Sequence, residues 1–133
     1  MGGDGDPRAD GEEPHVVLLV DDSRVVRAIV EKQLAERGLA VRTAGDRAGA
    51  AALDAHGATL ALLDLELPDG TGVDVATELR ARSESLPVAF LTSAPRSPLA
   101  DQARALGPVF EKGGETAAAV AWAVVVAAQG FSG

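Results

Sequence analysis

The chain has 133 residues, of which 47% are hydrophobic, and it carries a formal net charge of −8. This length is enough for one domain with a real core and too short for two. The apolar fraction is typical of a globular α/β protein and excludes a largely disordered chain. The absence of cysteine excludes disulfides, a thiol nucleophile and a zinc–thiolate site.

The first 14 residues differ in composition from the rest. They carry five acids against one arginine and are rich in glycine, aspartate and proline, which predicts a disordered acidic tail over residues 1–14 and a single domain over residues 15–133. The domain itself is mildly acidic, which disfavours nucleic acid as a partner. The chain start lacks the features of a signal peptide, and no stretch reaches the roughly 18 apolar residues of a membrane span. We therefore expect a soluble cytoplasmic protein without a membrane partner.

An apolar run at 16–20 predicts the first strand, and Ser23 is placed to cap the helix that follows. Gly38 is expected to end this helix. Its apolar positions follow helical spacing and should face the core: Val26, Ile29, Val30 and Leu34.

Strands and helices continue to alternate after this first unit. Further strands are predicted at 39–43, 59–64, 88–91 and 108–111. Further helices are predicted at 47–55, 72–82, 98–105 and 115–128. Five strands alternating with five helices predict an α/β fold with a doubly wound, five-stranded parallel sheet. We expect the flavodoxin-like strand order 2-1-3-4-5, with strands one, three and five ending around one pocket.

Residues whose side chains can bind ligands or react follow the predicted strands at their carboxyl ends: Asp21 and Asp22, Asp64, Thr92 and Lys112. These ends meet at one edge of an open parallel sheet, where α/β proteins bind ligands. Three carboxylates gathered there repel one another unless a hard cation such as Mg²⁺ lies between them. An aspartate in such a pocket, with a hydroxyl group and a lysine nearby, has what it needs to accept a phosphoryl group.

Four segments together resemble the response-regulator receiver domain of the chemotaxis-regulator type, over about residues 15–128. They occur in the order found in that family: Val20-Asp21-Asp22-Ser23-Arg24, then Asp64-Leu65-Glu66-Leu67-Pro68-Asp69-Gly70-Thr71-Gly72, then Leu91-Thr92-Ser93-Ala94, then Phe110-Glu111-Lys112. Each segment alone is weak evidence, whereas four in order at predicted strand ends form a strong signal.

The resemblance implies that Asp64 accepts a phosphoryl group from a histidine of a sensor kinase or phosphotransfer protein. It implies a Mg²⁺ ion held by Asp22, Asp64, the main-chain carbonyl of Glu66 and, through water, Asp21. Lys112 would pair with the phosphate, and Thr92 would hydrogen-bond to it. The implied function is a phosphorylation-controlled switch of a two-component system or phosphorelay. Such a domain catalyses only its own phosphoryl transfer and dephosphorylation, and signals by contact with a downstream output protein.

The sequence departs from the family pattern in three places. Gly113 follows Lys112, where the family usually has a proline in a cis peptide. Val109 stands where an aromatic switch residue is common, and Phe110 comes one position later, on the opposite face of the strand. The segment between Thr92 and Lys112 is also a little short for the family, which predicts a trimmed fourth helix or loop.

Helix five predicts an interaction surface. Residues 116–128 contain no charged side chain, so some apolar surface should face away from the sheet and form a homodimer or output-partner interface. About 21 residues follow Lys112, which leads us to expect a stand-alone receiver without an output domain.

Two other functions remain open at this stage. The first is a constitutive interaction module that keeps the receiver fold and signals without phosphate. The second is a Mg²⁺-dependent phosphatase that uses Asp64 as its nucleophile, with Glu66 as a loose substitute for the second acid of such enzymes.

Overall fold

The computed structural model describes residues 15–129. The predicted acidic tail, residues 1–14, lies outside the described residues. The strands are β1 (Val16–Val20), β2 (Ala40–Ala44), β3 (Ala58–Asp64), β4 (Glu66–Leu67), β5 (Gly70–Thr71), β6 (Val88–Thr92) and β7 (Val109–Glu111). The helices are α1 (Arg24–Glu36), α2 (Arg47–Ala52), α3 (Gly72–Arg82), α4 (Pro98–Arg104) and α5 (Thr116–Ala128).

The central sheet has five parallel strands in the order β2-β1-β3-β6-β7. Counted along the sheet-forming strands, this is the predicted order 2-1-3-4-5, so the fold prediction is confirmed. The two short strands β4 and β5 pair antiparallel with each other, outside the main sheet. They form a small hairpin directly after β3, at the edge where the predicted site lies.

Alternating side chains of the central strands build two cores, one on each face of the sheet. Val17 and Leu19 of β1 pack in the core beneath α1 and α5. Leu18 and Val20 pack in the other core, with buried side chains of α2, α3 and α4. Because both faces of β1 are covered, the strand reads as a continuous apolar run rather than an alternating one.

Helix α1 begins and ends at the predicted residues, but its buried stripe is narrower than predicted. The side chain of Ser23 accepts a hydrogen bond from the amide of Val26 at 3.2 Å, and Gly38 follows with φ of 82°. Val30 is buried, whereas Ile29 is 48% exposed. The prediction for Ile29 is wrong because adjacent helical residues differ by about 100° in direction, which places Ile29 beside the buried stripe.

Helix α2 is shorter than predicted, since it ends at Ala52 and Leu53 already has extended backbone angles. Arg42 of β2 explains the local path of the chain after this helix. Its guanidinium donates hydrogen bonds to the main-chain carbonyls of Asp54 and His56. These bonds hold the segment between α2 and β3 in a non-helical conformation.

Within residues 15–129, every helix is too short or too polar to cross a bilayer.

Candidate functional site

Three carboxylates meet at the carboxyl edge of the sheet. One oxygen from each of Asp21, Asp22 and Asp64 lies within 4.8 Å of the others. The register explains the meeting, because Val20 at the end of β1 pairs with Leu63 next to the end of β3. Asp21 and Asp64 are 0% and 1% exposed, whereas Asp22 is exposed. The predicted acidic cluster is thus brought together as two buried acids and one that faces solvent.

Lys112 reaches this cluster from the far side of β6. Its amide donates to the carbonyl of Thr92 at 2.9 Å, which fixes the chain directly after β7. Its Nζ atom lies 2.9 Å from Oδ2 of Asp64 and 3.2 Å from Oδ2 of Asp21. One cation therefore faces two buried carboxylates, which leaves net negative charge at the edge of the sheet.

Gly113 gives the loop after Lys112 its geometry. Its φ is 83°, a left-handed value that the fixed φ of about −65° excludes for proline. Residues 15–129 contain no cis peptide bond. The amide of Gly113 donates to the hydroxyl of Thr116 at 3.1 Å, at the start of α5. With this glycine turn in place of a proline, the side chain of Lys112 still reaches Asp64.

Thr92 and Glu66 form a pair that sequence reasoning missed. The hydroxyl of Thr92 donates to the two carboxylate oxygens of Glu66 at 2.9 and 3.1 Å, and accepts from the amide of Ala94 at 2.9 Å. Thr92 is completely buried, whereas Glu66 is exposed. The sequence predicted a main-chain carbonyl ligand from Glu66 and, in the phosphatase alternative, a loose substitute for the second acid, but no contact with Thr92. The sequence did contain a signal for this pair, because Glu66 lies two residues after the predicted phosphoacceptor Asp64. In extended backbone, side chains two residues apart point to the same side.

The hairpin that carries Glu66 is fixed by close backbone contacts. The amide of Glu66 donates to Oδ1 of Asp64 at 3.1 Å, and the amide of Gly72 donates to the carbonyl of Leu65 at 2.9 Å. A Cβ atom at position 72 would lie only 2.5 Å from the carbonyl oxygen of Asp64. Glycine is therefore required at position 72 for α3 to begin this close to the end of β3.

Asp69 ties the same loop to α2. Its carboxylate accepts hydrogen bonds from the amides of Arg47 and Ala48 at 2.7 and 3.0 Å. These two bonds lower the pKa of Asp69 below its ordinary value of 3.8. The loop after Asp64 is thus held at its turn by the first turn of α2 and at its end by the amide of Gly72.

The buried charges shift each other's protonation. Burial raises the pKa of Asp64 from an ordinary 3.8 to about 7; the hydrogen bond from Lys112 lowers it, and the charge of Asp21 raises it. Burial lowers the pKa of Lys112, but its hydrogen bond to Asp64 and the charge of Asp21 outweigh this and raise it overall. Asp64 therefore holds its proton more tightly than an exposed aspartate, and an added cation would release that proton.

The donor set fits a hard divalent cation. Within residues 15–129, no group forms a hydrogen bond of good geometry with the fully buried Oδ2 of Asp21, although Lys112 Nζ lies 3.2 Å away. Buried polar atoms normally take part in hydrogen bonds, so this oxygen, whose contact with Lys112 is an ion pair alone, keeps lone pairs that suit a cation. All three acids offer oxygen ligands, which Mg²⁺ prefers.

Val109 and Phe110, the two positions compared with the family's aromatic switch, lie on opposite faces of β7, as the sequence predicts. Val109 packs against the core shared with α3 and α4, whereas Phe110 packs against the core beneath α1 and α5. Phe110 thus lies on the opposite face of β7 from Val109.

Helix α5 exposes apolar surface, as its lack of charge predicts. Val120, Ala123 and Ala127 are buried against the sheet, and Trp122 is partly buried. Val125 is 54% exposed. The α5 outer surface consists of this valine and four exposed alanines: Ala117, Ala118, Ala121, Val125 and Ala128.

Curated relatives carry the same segment inside longer chains. The chain is 41% identical over 87 residues to the probable transcriptional regulatory protein TcrX of Mycobacterium tuberculosis, which covers 65% of this chain and 37% of TcrX. It is 38% identical over 93 residues to the transcriptional regulatory protein TctD of Salmonella typhimurium, covering 68% of this chain and 40% of TctD. The chain thus spans well under half the length of these relatives.

Two solved structures share the fold at moderate sequence identity. The response regulator TrrA of Thermotoga maritima, in complex with Mg²⁺–BeF, is 28% identical with a TM-score of 0.64, covering 74% of this chain and 87% of TrrA. The chemotaxis protein CheY4 of Vibrio cholerae is 28% identical with a TM-score of 0.71, covering 84% of this chain and 99% of CheY4.

A family model described as the response regulator receiver domain matches residues 17–109, well over half of the chain. The match includes the three acids and Thr92 but ends before Lys112, whose assignment rests on its ion pairs with Asp21 and Asp64. This protein belongs to the response-regulator receiver family, whose domains act in two-component signalling by phosphorylation.

Proposed function

We propose that this domain is a switch that receives a phosphoryl group on Asp64 from a histidine of a sensor kinase or phosphotransfer protein. The observation that carries the proposal is the contact of Lys112 Nζ with Asp64 Oδ2 at 2.9 Å, beside two further acids. A buried carboxylate with one cation and spare oxygen ligands around it is suited to gaining a phosphate rather than to general acid–base work.

The transfer is a displacement at phosphorus. A carboxylate oxygen of Asp64 attacks the phosphorus of the phosphohistidine, the P–N bond breaks, and the histidine leaves with the bonding electron pair. The new bond joins Asp64 to phosphate as an acyl phosphate. Asp64 must be deprotonated to attack, and its raised pKa of about 7 makes this step dependent on nearby positive charge.

Asp22 and Asp64, with the carbonyl of Glu66, are proposed to hold Mg²⁺ directly, and Asp21 to hold it through water. The bound ion would supply charge neutralisation for the phosphoryl oxygens. The three acids lie close enough for this role, since their oxygens are within 4.8 Å of one another. The structure of the similar regulator TrrA, in complex with Mg²⁺–BeF, supports a Mg²⁺ site in this kind of domain.

Thr92 and Lys112 are proposed to bind the phosphate once it is on Asp64. A phosphate adds a charge of about −1.5 to −2, which the Lys112 ammonium can pair with. The hydroxyl of Thr92 is bonded to Glu66 in this structure, so a phosphate oxygen would have to replace Glu66 as its acceptor. This exchange would release Glu66 and its hairpin from β6. Phosphorylation of Asp64 would in this way change the exposed surface around Glu66.

Output is proposed to pass through protein contacts. The α5 outer surface supports this, because it has no charged side chain and exposes Val125. We propose that it binds a second copy of the domain or a downstream output protein.

Phosphotransfer from candidate kinases tests the proposal. Autophosphorylated histidine kinases are mixed with the wild-type domain and with Asp64→Asn, and label transfer is followed over time. Rapid transfer from at least one kinase to the wild type, with none to Asp64→Asn, supports a phosphorylated switch. If the folded wild type takes no label from any kinase or small phosphodonor, the constitutive interaction module becomes the better reading.

A further inference from the structure

Arg27 of α1 turns back onto the end of β1. Its guanidinium Nη1 donates a hydrogen bond to the main-chain oxygen of Asp21. The amide of Asp21 donates to the carbonyl of Ala44 at 3.0 Å, on the neighbouring strand β2. The peptide on each side of Asp21 is therefore held by a different element. The side chain of Asp21 is held as well, because its Oδ1 accepts from the amide of Ser23 at 2.8 Å.

Gly45 makes room for the guanidinium. A Cβ atom at position 45 would lie 2.9 Å from Nη1, 3.6 Å from Cζ and 3.9 Å from Nη2 of Arg27. These are its three nearest neighbours, so the guanidinium covers this face of the glycine. The backbone of Gly45 is not in the left-handed region, which in residues 15–129 holds only Gly38, Gly57 and Gly113. An alanine at position 45 would therefore act mainly by displacing Arg27.

We propose that Arg27 is a positioning residue for the cation site and that Gly45 provides the space it needs. Arg27 holds the carbonyl of Asp21, which fixes the turn that aims Asp21 and Asp22 at Asp64. This inference rests on the proposed function, because it assumes that these acids bind Mg²⁺. It assigns a role to an arginine outside the acidic cluster, in a manner that resembles the outer-shell groups that orient metal ligands.

Charge alone predicts the opposite sign from positioning. If Arg27 acts only through its charge, removing it from beside three acids should strengthen cation binding. If it orients two of those acids, removing it should weaken cation binding. Arg24 provides the matched control, because it lies on the same helix, is exposed, and its side chain forms no hydrogen bond or ion pair with another residue in 15–129. Gly45→Ala provides a second test, because it displaces the guanidinium without removing any charge.

Calorimetric titration with Mg²⁺ measures the effect on the wild type, Arg27→Ala, Gly45→Ala, the double variant and Arg24→Ala. We expect Arg27→Ala and Gly45→Ala each to weaken Mg²⁺ affinity about tenfold, as outer-shell changes do. The double variant should be no weaker than Arg27→Ala, because both changes act through one side chain. Arg24→Ala should bind at least as tightly as the wild type. In EDTA, hydrogen exchange of the Ser23 amide should be faster in Arg27→Ala and Gly45→Ala.

Several results would overturn the inference. Wild-type affinity in both single variants, tighter binding in Arg27→Ala, or additive losses in the double variant would each show that Arg27 does not position the acids. If Arg27→Ala does not fold, Gly45→Ala alone decides by the same criterion. A wild type that binds no Mg²⁺ would overturn the proposed metal site together with this inference, whereas normal wild-type binding with unaffected variants would overturn the inference only.

Discussion

The hydroxyl of Thr92 and the carboxylate of Glu66 are hydrogen-bonded at 2.9 and 3.1 Å. This bond places an anionic group beside Asp64, because the amide of Glu66 also donates to Asp64 Oδ1 at 3.1 Å. The hydroxyl proposed to bind the phosphate is thus already hydrogen-bonded to a negatively charged carboxylate. We therefore expect the Glu66 carboxylate to repel an anionic phosphodonor and to hold Thr92 in place.

Glu66→Gln should therefore speed phosphorylation by a small anionic phosphodonor. The amide can still accept from Thr92 but carries no charge, which removes a repulsion of about 1 kcal/mol and predicts a rate increase of about fivefold. Stopped-flow or mass-resolved labelling rates in excess Mg²⁺ measure it. Glu84→Gln is the control, since this exposed residue follows α3 at the opposite edge of the sheet. Equal rates for all three proteins would show that Glu66 is no barrier.

The raised pKa of Asp64 predicts a pH-dependent stability in the metal-free protein. The folded pKa of about 7 exceeds the ordinary 3.8, so between these values the native state binds more protons than the unfolded state. Stability therefore falls as pH rises through this window. Asp64→Asn cannot ionise and should lose this part of the dependence. Denaturant midpoints in EDTA across the window measure the difference, and parallel curves for the two proteins would contradict a raised pKa.

Added Mg²⁺ should stabilise the domain against heat by mass action, with about 2.7 kcal/mol expected when the free ion is at 100 times its Kd. Asp22→Ala should abolish most of this gain, because it removes the exposed acid of the cluster. Asp101→Ala, which removes an exposed acid of α4, serves as the control and should retain the gain. A melting temperature that ignores millimolar Mg²⁺ in the wild type would rule out the cation site.

Val125→Glu should disrupt self-association or partner binding through the α5 outer surface, because it places a charge at the centre of an uncharged face. Ala81→Glu adds the same charge to the exposed side of α3, on the other face of the sheet, and should have no effect. Sedimentation across a concentration series, with and without phosphodonor, measures association. The prediction is contradicted if the wild type is strictly monomeric and its identified partner binds Val125→Glu normally. In that case the α5 outer surface is not an interface.

The convergence of the acids was predictable because it depends only on topology. Apolar runs ending on Asp21, Asp64 and Thr92 identify buried parallel strands, and the strand order then forces their ends together. The order itself follows from handedness rules and from the resemblance to a known family. Lys112 was predictable for the same reason, although its distance from Asp64 depends on the turn at Gly113.

The side-chain pairs around the cluster could not be predicted in this way. The bond between Glu66 and Thr92 depends on a two-residue hairpin whose strands are too short to produce a periodic pattern. The contact of Arg27 with Asp21 depends on how closely α1 lies to the loop at Gly45, and spacing along the chain does not report that distance. Ile29 shows the same limit, since its exposure depends on the exact rotation of α1.

Locating the phosphoryl group on the chain tests the central claim most directly. The domain is incubated with a small phosphodonor in Mg²⁺ or in EDTA, the acyl phosphate is reduced with borohydride, and tandem mass spectrometry finds the residue converted to homoserine. The account predicts conversion at Asp64 alone, in Mg²⁺ and not in EDTA, and none in Asp64→Asn. Conversion at another aspartate, or label retained by Asp64→Asn, would contradict it.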